Sequence, residues 1–184
     1  MNKLIFIGDT HGFIKDFNKQ KEIIEEYNPE FILAEQLQEI SITNKDSYIK
    51  ASKDQRFKEQ AELMELCRKR DIKLIGIDFK DFGFNQRIQS IIKGEVHPTK
   101  KELAIIKGIV KERSKHHINM IKHFLLITSK PLIVIVGSWH LRKQSQLRKT
   151  FKKYLAIYPV DKKGNILTDS RKIENINYLE IIKS

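Results

Sequence analysis

An α/β fold with a mostly parallel central sheet flanked by helices is predicted from three observations. Short apolar runs alternate with amphipathic stretches along nearly the whole chain, which is the signature of βαβ units. The apolar runs are four to seven residues long, such as FILA and PLIVIVG, and suit strands buried on both faces. Turn and capping residues punctuate each change of period.

The first strand is expected over residues 3–7, ending in the turn Gly8-Asp9-Thr10-His11-Gly12. A helix follows with Ile14, Phe17, Ile24 and Tyr27 on one stripe, and Pro29 stops it because a prolyl nitrogen has no hydrogen to donate. EFILA makes the second strand, ending at Glu35. Residues 36–51 are polar and irregular in pattern, and are expected to form a mobile loop over a site. Ser52 and Gln55 have capping-box spacing, so the next helix is expected from Ser52 to about Arg70. IKLIGID supplies the third strand, ending at Asp78. A short helix over residues 85–93 and a second capping box, Thr99 to Glu102, lead into a long helix reaching about Thr128. PLIVIVG is the fourth strand and stops before Ser138-Trp139-His140. A basic helix over residues 141–154 precedes the fifth strand, LAIYPV, and the tail, residues 162–184, is expected to add a last strand around residues 177–182.

The 184 residues suit a single α/β domain spanning 1–184, and no repeat, low-complexity linker or boundary interrupts it. Hydrophobic residues at 40% and charged residues at 32% read as globular with a well-charged exterior. Cys67 is the only cysteine, so no intrachain disulfide forms, and its place in a helical pattern reads as a buried thiol. The amino-terminal apolar run is too short for a signal peptide, and no run is long enough to cross a bilayer; a cytoplasmic protein without a membrane partner is expected. The formal charge of +12 makes nucleic acid or another polyanion a candidate partner, but the lysines are spread through most helices and no aromatic-basic RNA-binding pattern occurs, so nucleic acid is not favoured. Oligomeric state is not legible.

The chemistry lies in the strand ends. The first four strands finish on Asp9 and His11, Glu35, Asp78 and His140. In an open parallel sheet these ends share one edge, where ligands bind. Two imidazoles and up to three carboxylates then meet, a donor set suited to a divalent ion such as Mn, Fe, Co or Zn. Such an ion lowers the pKa of its water toward about 7 and polarises a carbonyl or phosphoryl oxygen. The expected ligands are His11, Glu35 and His140; Asp9 or Glu35 is the expected general base. On the long helix the stripe Leu103, Ile106, Val110, Met120, Phe124 carries Arg113 and His117 in its polar gap. Arg113 there is expected to steady an oxyanion or to pair structurally, with Asp78 and His117 as supporting groups. His97, His116 and His123 are expected to be solvated or locally bonded.

Two resemblances arise at these residues. GDTHG after a strand resembles the first motif of calcineurin-like metallophosphoesterases, but LAEQLQE stands where their second motif falls and no GNH occurs. Closer in order is the superfamily of TraB and Tiki proteins, erythromycin-esterase-like enzymes and ChaN-like proteins. Its pattern of Gly-x-x-His, a Glu after the second strand, and a late Gly-x-x-His is similar to Gly8 to His11, Glu35 in ILAEQL, and Gly137 to His140 in VIVGSWHLR. The resemblance implies a metal-dependent hydrolase acting on an ester or amide bond, or haem binding in the ChaN-like branch, with an Arg-bearing helix before the last motif. The metallophosphoesterase likeness implies instead a phosphate ester, and the charge of +12 fits an anionic substrate.

Overall fold

The computed structural model describes residues 4–10, 14–167 and 176–184. Its centre is one seven-stranded sheet in the order β3-β4-β2-β5-β1-β6-β7. Here β1 is Leu4–Asp9, β2 Phe31–Ala34, β3 Ser41–Ile42, β4 Lys73–Gly76, β5 Leu132–Gly137, β6 Tyr154–Val160 and β7 Asn177–Lys183. The five inner strands are parallel, and the two edge strands, β3 and β7, run antiparallel to their neighbours. The predicted α/β fold with a mostly parallel sheet is therefore what the chain adopts.

Strand alternation divides the core. Ile5, Ile7, Ile32, Ile133 and Ile135 bury against one layer built on α1 (Ile14–Tyr27) and α3 (Ala61–Lys69). Leu4, Phe6, Leu33, Val134 and Val136 bury against the other, formed by α5 (Lys100–Ile127) and α6 (Gln146–Thr150). Strands flanked by helices on both faces have no solvent side, which is why they read as continuous Ile/Leu/Val runs.

Several boundaries differ from expectation. Residues 36–51 are not an irregular loop: they hold a 3₁₀ turn (Glu35–Leu37), β3 and most of α2 (Lys45–Ser52). Asn44 caps α2 by accepting from Ser47 N at 2.9 Å, while Ser47 Oγ accepts from Asn44 N at 3.0 Å. Ser52 is the last residue of α2 rather than a cap, its hydroxyl donating to Ile49 O. The chain then breaks, and Asp54 caps a 3₁₀ stretch, Gln55–Gln60, before α3 starts at Ala61. Asp54 wins because its carboxylate holds both Arg56 N and the Arg56 guanidinium. The expected basic helix 141–154 shrinks to α6: a 3₁₀ turn, Ser138–Leu141, comes first, and Ser145 caps what remains. The Thr99–Glu102 capping box forms as read, and α4 (Gln86–Ile92) fills the expected short helix. No described helix is long and apolar enough to cross a membrane.

Candidate active site at the strand ends

Four buried polar groups meet at the carboxyl edge of β2 and β4, on the α5 side of the sheet. Glu35 follows β2 by one position, so alternation sends its side chain to the face opposite Ala34. Asp78 lies two residues beyond β4, and its carboxylate accepts from Phe79 N at 2.8 Å. From α5, the stripe that buries Ile118, Ile121 and Phe124 delivers Arg113 and His117 to the same depth. Glu35, Asp78, Arg113 and His117 are 4%, 1%, 8% and 0% exposed, values at which ionised groups survive only with partners.

Arg113 is the main partner. Its Nε donates to both oxygens of Asp78 at 3.0 Å, and its Nη2 donates to Asp78 Oδ2 and to Glu35 Oε1, the latter at 2.7 Å. Phe82 and Phe84 cover the guanidinium, their ring centroids 4.9 and 5.5 Å from its central carbon. Phe82 reaches this position with φ +56°, a left-handed conformation that costs an ordinary residue about 1 kcal/mol or more. The other oxygen of Glu35 accepts from Gly137 N at 2.7 Å, which ties the end of β2 to the end of β5.

His140 sits in the 3₁₀ turn after β5, half-buried, with Nε2 3.2 Å from Glu35 Oε1. Its ring meets that of His117 edge-on at 5.7 Å. His117 differs from the others. Its Nε2 is 3.2 Å from Asp78 Oδ2, close enough for an ion pair, while its Nδ1 makes no hydrogen bond. Burial pushes the Glu35 carboxyl upward, but His140, His117 and Arg113 outweigh it and hold the group well below the usual carboxylate range. Asp78 is likewise held low against burial, by His117 and Arg113.

The sequence-derived residues separate into groups. Glu35, Asp78, Arg113, His117 and His140 come together. Asp9 does not join them: as the last residue of β1 it follows Ile5 and Ile7 onto the α1/α3 side. There it accepts from Gln20 Nε2 at 3.2 Å and from Gln36 Nε2, while Gln36 accepts from Gln60. These groups, with Glu59 and Glu62, line a separate cavity of about 190 Å³. His11 lies outside the described residues. Asp78 and His117, read from sequence as supporting groups, stand as close to Glu35 as ligand atoms need to: one donor atom from each of the three lies within 4.8 Å of the others. His116 stacks on Phe79 at 4.6 Å and His123 meets Phe124 at 5.3 Å.

The two glycines of the Gly-x-x-His motifs serve different ends. A side chain at Gly8 would come within 2.6 Å of Tyr158 Cβ and 3.0 Å of Ser138 Oγ, so only glycine lets β1 and β6 close up there. That closeness also lets Ser138 Oγ donate to Asp9 O at 3.1 Å, anchoring the turn that carries His140. At Gly137 a Cβ would meet only ordinary contacts, and the backbone N–H is what matters. Phe82, Phe84 and the Gly137 amide had no sequence signal, because each acts through tertiary proximity to Arg113 or Glu35.

No family model matches the chain, and no curated protein matches it. A solved structure described as cofacial heme binding to ChaN of Campylobacter jejuni is similar at 18% identity, covering 100% of this chain and 88% of its own, with a TM-score of 0.44.

Proposed function

We propose that the chain is a metal-dependent hydrolase of ester or amide bonds, with a divalent ion held by Glu35, Asp78 and His117. The observation that carries this reading is the buried imidazole of His117. A fully buried ring whose Nδ1 has no hydrogen bond is costly, and beside two carboxylates it has the form of a metal ligand. Bound there, a divalent ion would supply Lewis acidity and a water of lowered pKa.

The protein's own groups do the rest. Arg113 fixes the orientation of both carboxylates through its planar fork. Gly137 N–H holds Glu35 at the strand end. His140 is the half-buried member facing a solvent cleft, so it is placed to take a proton from an attacking water. Glu35 Oε1, 3.2 Å from its Nε2, orients the ring. His11, outside the described residues, stays a proposed fourth ligand on the sequence pattern.

The test pairs equilibrium titration of Mn, Fe, Co and Zn with generic ester and amide substrates. His117→Leu keeps the volume of the site and removes the ligand. It is expected to abolish metal uptake and hydrolysis while leaving the fold intact by circular dichroism. Undiminished metal uptake in His117→Leu refutes the ligand assignment. Hydrolysis that persists after chelation, and is lost in His140→Ala, would favour a metal-free His140–Glu35 pair, the reading that the 3.2 Å contact supports.

A further inference from the structure

The proposed site borders, through His140, a cleft of about 370 Å³ between α5 and the segment that carries His140. Lys107 and Lys111 stand one turn apart on α5 along one wall, and Arg142 and Lys149 come from the opposite side. No carboxylate lines the cleft, and none of the four cations forms an ion pair among the described residues. Like charges facing one another across a concave surface repel, and the cost is relieved by an anion between them. Arg142 is held in place by stacking on the exposed indole of Trp139 and by donating to Trp139 O at 3.4 Å, so less freedom is lost when it binds. His140 belongs to the cleft lining, with Glu35 immediately behind it.

We infer that this cleft binds the anionic part of a small substrate, a phosphate or similarly multiply charged group, and presents the adjoining bond to His140. The role in catalysis rests on the hydrolase reading; the binding itself does not. The volume is that of a small-molecule site rather than of an extended polymer track, which favours a compact anion over nucleic acid. Anionic esters thereby become the substrate class, and neutral esters the poorer one.

Calorimetric titration of the metal-free protein with pyrophosphate at low salt tests the inference. Lys107→Gln with Lys111→Gln is expected to weaken binding about tenfold, as loss of two short charge pairs should, and to reduce the preference for anionic over neutral esters. Lys122→Gln with Lys130→Gln removes the same charge elsewhere and should change binding less than about twofold. Absence of pyrophosphate binding, or equal weakening by the two double variants, overturns the inference. So does a single-stranded oligonucleotide that binds in a Lys107- and Lys111-dependent way when pyrophosphate does not. Pyrophosphate binding that survives in His117→Leu, alongside lost metal uptake, supports the cleft independently. Metal uptake that survives in His117→Leu refutes the metal assignment and leaves the cleft standing.

Discussion

Replacing Arg113 by Met removes the one guanidinium shared by Asp78 and Glu35 while keeping an unbranched stem beneath Phe82 and Phe84. Four N–H to carboxylate contacts vanish together, and two nearly inaccessible carboxylates are left facing each other. Breaking a buried pair in this way costs about 3–5 kcal/mol, because the remaining charge loses its partner without regaining water. The pH dependence provides a second, independent sign. In the wild type both carboxyls are held low, so the unfolded chain binds more protons than the native one as pH falls through the carboxylate range. Their contribution is therefore complete above about pH 5 and is lost toward the folded-state values at lower pH. Without Arg113, burial is opposed by His140 and His117 alone, so both carboxyls rise from their wild-type values and fewer protons are released on folding. The gain in stability as pH rises through the carboxylate range is then shallower than in the wild type, by up to about 1.4 kcal/mol per pH unit for each proton. Urea unfolding from pH 3 to 8 in the presence of a chelator, followed by far-ultraviolet circular dichroism, measures both quantities. A variant that loses less than about 1 kcal/mol and keeps the wild-type pH profile refutes the claim that Arg113 neutralises this cluster.

Two further perturbations test the frame around the site. Cys67 is buried on α3 and burial pushes its thiol up to about 12, so a disulfide-exchange reagent at pH 8 should modify it on the order of a hundredfold more slowly in the native protein than in urea; equal rates would contradict the packing. A side chain at Gly76 would collide with Gln38 O and approach Ile40 O to 2.7 Å; Gly76→Ala should cost about 2–3 kcal/mol by thermal unfolding. The same change should lower metal uptake by displacing Asp78, and a loss below about 0.5 kcal/mol would show that the segment yields freely.

Much of this was written in the chain, and the exceptions have physical causes. The sheet was legible because doubly covered strands must be continuous apolar runs, and their carboxyl ends carried the polar residues. Glu35, Asp78, His117 and His140 were found for that reason, or because the α5 stripe had a polar gap. Asp9 was placed with them although period-two alternation points it away: Ile7 and Asp9 share a face, whereas Glu35 follows Leu33 onto the other. Residues 36–51 were read as a loop because Asn44 and Ser47 form a capping box without the usual Glu or Gln, and because β3 has only two residues. The helix at Ser52 was misplaced because Asp54, two residues on, binds Arg56 and competes successfully for the capping role.

The alternation that separates Asp9 from Glu35 makes the sheet a partition as well as a scaffold. One chamber, rich in amides and carboxylates, gathers around Asp9, Gln36 and Gln60; the other, ringed by lysine and arginine, opens above His140. They have opposite electrostatic preferences, and a layer of packed isoleucine, leucine and valine keeps the groups of one out of contact with those of the other. Changes to Gln36 and changes to Lys111 should therefore behave as independent traits, although both chambers sit at the same end of the same strands.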